Sequence, residues 1–493
     1  MAQREFFSSR WSLVMAALGM VIGTGNIWRF PRIVAKNGGG AFLVAWFIFL
    51  FLWSIPLLIG EFAIGKKTRK GTLGAFSGFI GERFTWMGGF VGFCTLAIMF
   101  YYSVVMGWCL RFLLASLTGE LSAISASVFW NNFIASAWQP IVFHAIAISL
   151  GAIIVFRGIA NGIERANKIL IPALFIMLVI AAVRSLTLPN ASTGLNFLFS
   201  PDWKALLKYQ VWLEALSQSA WSTGAGWGLI LTYAVYMNKK EDIVLNSFLA
   251  GLGNNSASLL VGIAIFPAVF ALAPALGENA EKVITVTGPA STGMAFIWMP
   301  RLFAQMPAGT IFTSLFFLSL SIAALTSLIA MIELGVRNLI DLGFTRRQSI
   351  ATIWIVAFLL GVPSAANMSI FENQDWVWGV GLILSGFFFA FAINKHGPGL
   401  FRDNLINTEG NDIRIGVWYE WIVRYVIPAE FILLISWWFY QAIAFYEPTG
   451  WWHPFKTFSV GTCLFQWGIV IILFLALNRW ITNRLARVNS EEA

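Results

Sequence analysis

The stretch Gly19-Met20-Val21-Ile22-Gly23-Thr24-Gly25-Asn26 lies inside an apolar run long enough to cross a bilayer, and Ser222-Thr223-Gly224-Ala225-Gly226-Trp227-Gly228 lies inside another. Each glycine weakens a helix by about 1 kcal/mol relative to alanine. Clusters this dense predict a local break in each helix. Inside a membrane, irregular backbone survives only where protein buries it or where it lines a cavity. Carbonyls freed by a break can bind cations, and the N-terminus of the following half-helix can hold an anion. The competing reading is close helix packing through small residues, which the spacing of Gly19 and Gly23 allows.

The rest of the chain supports a membrane setting. Of 493 residues, 58% are hydrophobic, 16% aromatic and only 11% charged. A soluble domain carries about 25% charged residues. The mean hydropathy of +0.75 excludes a disordered chain, a coiled coil and a disulfide scaffold. The net charge of +9 does not point to nucleic acid, because the basic residues sit in short gaps between apolar stretches. Cys94, Cys109 and Cys463 lie in apolar runs without metal-ligand spacing and read as core residues.

Apolar runs predict about twelve spanning helices: 11–36, 41–65, 88–116, 140–157, 166–184, 209–237, 242–271, 307–340, 347–364, 376–394, 417–445 and 458–482. They are too long and too uniformly apolar for β-barrel strands. The expected fold is therefore an all-α integral membrane protein forming one transmembrane domain over residues 1–493. With a cytoplasmic N-terminus, about 22 of the 32 Lys and Arg fall on the cytoplasmic side. Both termini are then cytoplasmic. The first run is too long for a signal peptide and lacks a small-residue cleavage site, so it is kept as a span. The polar stretches 272–306 and 395–416 are expected to hold short helices or hairpins.

Several motifs are set aside. Gly60–Lys66 begins like a phosphate loop, but Lys67 stands where Ser or Thr is required. His144, His396 and His453 are scattered, and no nucleophile–base pair is evident. An intramembrane enzyme is unsupported, as is a sensor, since no soluble signalling domain follows the helices.

The two glycine clusters fall in the first and sixth spans, corresponding members of two five-helix halves. Paired interrupted helices in matching halves point to a secondary-transporter site at the bilayer midplane. Here the chain resembles the neurotransmitter:sodium symporter family, including its bacterial amino-acid transporters. The strongest motif is Gly23-x-Gly25-Asn26-x-x-Arg29-Phe30-Pro31, followed by Asn37-Gly38-Gly39-Gly40-Ala41-Phe42. Ile55-Pro56-x-x-x-x-Glu61, Tyr101-Tyr102, Gly162-Ile163-Glu164, Gly194-Leu195-Asn196-Phe197-Leu198 and Ser200-Pro201-Asp202 support it.

The resemblance implies inverted repeats over about 11–184 and 209–394, further helices over about 417–482, and sodium-coupled uptake of an amino acid by alternating access. It implies two sodium sites. The first would use the Val21 carbonyl, side-chain oxygens of Asn26 and Asn254, Ser222 and the substrate carboxylate. The second would use carbonyls of Gly19, Ile22 and Ala323 with the hydroxyls of Thr326 and Ser327. Tyr102 and backbone N–H groups near Thr24 and Gly25 would hold the carboxylate. Gly23 stands where monoamine carriers have an aspartate, which favours an amino acid. Met20, Ile98, Trp221, Gly224, Trp227, Ser327 and Met331 would form an uncharged side-chain pocket suited to a hydrophobic substrate. A small amine or osmolyte is the alternative.

By the same resemblance Arg29 and Asp375 would pair as an outer gate under a Tyr102–Trp221 lid. Arg4 and Asp341, near Tyr236, would pair as an inner gate. Chloride stays open: Gln218, Ser222, Asn254 and Ser258 suit it, yet Trp46 replaces the usual tyrosine. Glu61 and Glu214 read as a structural network at membrane depth. The implied partners are a small-molecule substrate and the lipid bilayer, with no nucleic acid and no obligate protein. Short loops without the animal disulfide suggest a bacterial inner membrane.

Overall fold

The computed structural model describes residues 5–287, 291–408 and 413–492. Among them the only extended pairing is an isolated bridge between Gly39 and Pro201. Among the described residues ten helices are long and apolar enough to cross a bilayer, or eleven if one bent pair is counted as a single span. The spanning pieces, in chain order, are α1 (Arg10–Val21), α2 (Thr24–Lys36), α3 (Gly40–Thr68), α4 (Glu82–Thr118), α5 (Gln139–Phe156), α6 (Ile159–Leu186), α7 (Tyr209–Ser222), α8 (Leu229–Ala234), α9 (Ile243–Leu276), α10 (Gly309–Asp341), α11 (Arg346–Ala366), α12 (Met368–His396), α13 (Trp418–Tyr446) and α14 (Val460–Val488).

Both predicted breaks are present. α1 and α2 meet at 52°, across Ile22 and Gly23. The expected sixth span, 209–237, is split into pieces of 14 and 6 residues. Neither is long enough to count as a crossing, so length and composition alone do not reach twelve. The cause is local: Gly224, Gly226 and Gly228 have φ of +63°, +87° and +78°, a left-handed backbone that cannot continue a helix.

At the centre α4 packs along α10. The most apolar windows of α4, α10 and α12 are 83% buried, against 28% for α13 and α14. Ile169, Leu359, Ile432 and Ile472 face outward on α6, α11, α13 and α14. An apolar exterior of that extent suits lipid rather than water. Short helices Ala280–Thr285 and Pro398–Phe401 occupy the two polar stretches expected to hold them, and Ala191–Phe199 is a further one in 185–208. The Gly60–Lys66 stretch is helical. All three cysteines are buried and unbonded.

Candidate substrate and ion site

The two breaks face one another beside α9. Asn254 Oδ1, from the middle of α9, stands 2.9 Å from the Val21 carbonyl oxygen and 3.0 Å from that of Ser222, with no proton on any of the three. Turning the Asn254 amide over would put its NH2 there and satisfy both carbonyls. A bound cation would do the same for the amide as it stands. Ser222 Oγ donates to Asn254 Oδ1 at 3.2 Å. Asn26 joins with its nitrogen: Nδ2 donates to Asn254 Oδ1 at 2.7 Å and to Ser258 Oγ at 2.8 Å. Its Oδ1 accepts instead from the Gly23 N–H at 2.9 Å. The expected first-site residues are thus together, but the Asn26 oxygen faces its own helix terminus.

Of the second expected set, Gly19 and Thr326 adjoin. A Cβ built on Gly19 would lie 3.2 Å from Thr326 Cβ. Ser327 Oγ crosses to the Met20 carbonyl at 3.2 Å. Thr326 Oγ1 donates to the Ile322 and Ala323 carbonyls at 3.1 and 3.2 Å, the usual back-bond of a membrane-helix hydroxyl. Ile22 N donates to Leu18 O, closing the last turn of α1.

Around the breaks lies a cavity of about 600 Å³. Met20, Gly23, Thr24, Gly25, Ile98, Tyr102, Trp221, Gly224, Trp227, Ser327 and Met331 all line it. Tyr102 OH accepts from Thr24 N at 3.3 Å, at the first turn of α2. A Cβ on Gly23 would come within 3.2 Å of both Tyr102 OH and Ser327 Oγ, so this glycine preserves space. A Cβ on Gly224 would meet Met20 Sδ at 2.9 Å. Trp221 and Trp227 meet edge to face at 6.2 Å, and both indole N–H groups are buried without an acceptor.

The second break is tied down by buried side chains. Glu61 of α3 accepts from Gly226 N at 2.6 Å and from Leu231 N at 3.1 Å. Ser385 of α12 donates to Gly226 O at 2.6 Å, and Thr95 of α4 donates to Trp227 O at 2.6 Å. These amides and carbonyls have lost their helical partners and would otherwise be unpaired in an apolar interior. Glu61 is therefore a structural clasp. Glu214 accepts from Trp437 Nε1 at 3.1 Å and borders the cavity.

The family model described as "Sodium:neurotransmitter symporter family" matches residues 4–137 and 134–483. An uncharacterised sodium-dependent transporter of Methanocaldococcus jannaschii is 31% identical over 446 residues, 86% of this chain and 88% of that one. A sodium- and chloride-dependent taurine transporter of Bos taurus is 29% identical, covering 86% of this chain and 76% of that one. The crystal structure of MhsT in complex with L-phenylalanine matches with a TM-score of 0.76 and 32% identity, over 88% of this chain and 99% of that chain. The chain belongs to the sodium:neurotransmitter symporter family. It is a multi-pass, sodium-dependent secondary transporter, not an enzyme.

The symporter's gates depart from expectation. Among the described residues no ion pair joins Arg29 to Asp375. The Arg29 guanidinium lies over the Trp221 ring, 4.7 Å from its centroid, and Asp375 lines the same cavity. The large ring explains the substitution of partner, since a cation over an indole face is held electrostatically. Trp221 in turn rests against Gly379, where a Cβ would collide with the ring. Gly379 was not singled out by sequence, although a large lid implies a small residue opposite.

At the other end, Arg4 lies outside the described residues. Asp341 pairs with Arg337 one turn back and accepts from Gly71 N at 2.6 Å. Tyr236 donates to Glu333 Oε1 at 2.6 Å rather than to Asp341, and Arg346 holds Glu333 at 2.7 Å. Phe7 is buried there, its N–H on Tyr236 O. Glu333 and Arg346 were missed; the signal was an acid deep in the 307–340 run. Near the expected chloride residues, Gln218 Oε1 and Trp46 Nε1 are buried without partners, and Ser258 Oγ accepts from Asn26.

Proposed function

We propose that this symporter imports a neutral, hydrophobic amino acid together with sodium. The observation that carries the reading is the convergence of the Val21 and Ser222 carbonyls and the Asn254 side chain at the junction of the two breaks. Carbonyls at a helix break in an apolar interior need a partner, and a cation among them supplies one. In this reading the substrate carboxylate lies between Tyr102 and the N-terminus of α2, where backbone N–H groups and the helix dipole favour an anion. The carboxylate completes the first sodium site. Ion and substrate then raise each other's affinity, the reciprocity that coupling requires.

The second sodium lies among Gly19, Ile22, Ala323, Thr326 and Ser327. Helices of the 11–184 and 209–394 halves act as inverted repeats, and access alternates between their two ends. The cavity extends toward Lys36 while the Phe7, Tyr236, Glu333 and Asp341 end is packed. With both termini in the cytoplasm of a bacterial cell, that is an outward-facing arrangement. Arg29, Trp221 and Asp375 close over the substrate, and Arg4 with Asp341 releases below.

A carrier of a small zwitterionic osmolyte is the second reading. It is favoured by the taurine-named relatives and by the two indole N–H groups that lack acceptors. One experiment separates the readings. The purified protein is heated with each amino acid, or with taurine, in sodium and in potassium. A hydrophobic amino acid should raise the thermal midpoint in sodium only, since a ligand at 100 times its Kd adds about 2.7 kcal/mol. A shift with taurine alone moves the assignment to the osmolyte, and a shift equal in both salts overturns the shared site. Replacing chloride by gluconate in the same titration tests the anion at Gln218, Ser222, Asn254 and Ser258.

A further inference from the structure

Asn167 lies on α6, fully buried, and no part of the site described above uses it. Its Nδ2 donates to Ile163 O at 2.9 Å, one turn back on the same helix. That bond fixes which way the amide points. Its Oδ1 is buried and has no hydrogen-bond donor. Leaving a buried carbonyl unpaired costs its full desolvation penalty. Alanine or leucine would fill an interior position of a membrane helix without that cost.

The direction of Oδ1 is informative. A Cβ built on Gly19 would collide with Asn167 Oδ1, and it would stand 3.2 Å from Thr326 Cβ. One oxygen from α6 therefore converges on the place where α1 and α10 meet. The neighbouring hydroxyls offer it no proton. Thr326 gives its hydrogen to the Ile322 and Ala323 carbonyls, and Ser327 gives its hydrogen to the Met20 carbonyl. Gly19 has only a Cα–H to turn toward it, a second-order contact. The lone pairs of Asn167 thus face the junction of α1 and α10 with no donor to pair them. A hard cation is the partner that suits such a spot.

We propose that Asn167 supplies a side-chain oxygen to the second sodium site, as a ligand from α6 additional to those of α1 and α10. The inference rests on the second-site reading given above. It adds a third helix to the site, so sodium binding draws α6 toward α1 and α10. Because the oxygen is neutral, it favours a monovalent ion without changing the net charge of the site.

The test uses the purified full-length protein and radioactive sodium-22 alone, without substrate. In the unaltered chain the sodium isotherm should resolve two sites, the first the weaker because the substrate carboxylate that completes it is absent. Asn167→Ala should weaken one of them about tenfold, the scale of a lost contact to a charged group, and leave the other unchanged. Asn167→Asp keeps the shape and adds charge, so it should bind sodium more tightly at that site; it also carries the test if the alanine variant does not fold. Thermal midpoints distinguish a ligand from a packing residue. A ligand's loss lowers the midpoint in sodium but not in potassium, whereas a packing residue's loss lowers both equally. Unaltered sodium isotherms in both variants, with the unaltered chain binding two ions, would overturn the role of Asn167 alone. An unaltered chain that binds no sodium would overturn the second-site reading, and this inference with it.

Discussion

In α1–α2 the chain leaves helical geometry at Ile22 and Gly23; in α7–α8 it does so from Thr223 to Gly228. The first break is extended, with φ of −88° and −110°, which any residue adopts. The break residue itself is restrained locally, the Asn26 amide three residues on capping Gly23 N, with Tyr102 and Ser327 reaching only its flanks. The second break has three alternate glycines at positive φ, and its restraints come from α3, α4 and α12. Glycine thus serves two purposes under one sequence signature. In the first break it makes room beside Tyr102 and Ser327; in the second it permits the backbone itself. A break held by its own helix can re-form around a ligand, while one clasped by three neighbours moves only if they do.

The largest effect should come from removing the clasp. Glu61→Ala leaves Gly226 N and Leu231 N buried and unpaired, at about 1–3 kcal/mol each. The purified variant should lose several degrees of thermal midpoint in potassium, before any ligand is considered. A midpoint equal to the unaltered chain's would show that the second break holds itself, and the contrast between the breaks would disappear.

By conformation alone, a smaller loss is expected from Gly226→Ala. The left-handed backbone costs a non-glycine residue about 1–2 kcal/mol. A Cβ there would also collide with the Gly386 backbone, 2.5 Å from Cα and 3.0 Å from N. Destabilisation in potassium comparable to that of Glu61→Ala would mean that the crowding outweighs the conformation. A neutral result would show that the break can relax to a helix-compatible geometry.

The spans, the two breaks and the residues lining the cavity were legible because they follow from hydropathy, glycine density and short motifs. The partners of those residues were less so. Glu61 binds amides that become free only once α7–α8 has unwound, so its role depends on the break rather than on its own neighbours in sequence. Tyr236 had acids at positions 333 and 341 within reach on one helix, and only the register of α10 shows that Glu333 receives it. Arg29 went to the Trp221 face because that ring is large and lies against Gly379; sequence showed the tryptophan but not the glycine opposite. Asn167 carried no signal at all, since an asparagine on an apolar helix is ordinary until its oxygen is found without a donor.

The finest discrimination between the breaks comes from Gly25. It sits in the first turn of α2 at ordinary φ, and a Cβ there would meet nothing within 4 Å. Gly25→Ala should therefore raise stability in potassium by up to about 1 kcal/mol, the helical preference of alanine over glycine. The same methyl projects toward the cavity that Gly25 lines. Sodium-dependent substrate binding should fall even as the fold gains. Opposite signs for stability and binding are what a space-making glycine produces. A conformational glycine such as Gly226 loses both together. If Gly25→Ala lowers stability instead, the first break also depends on glycine backbone, and the distinction between the two breaks fails at the residue where it is sharpest.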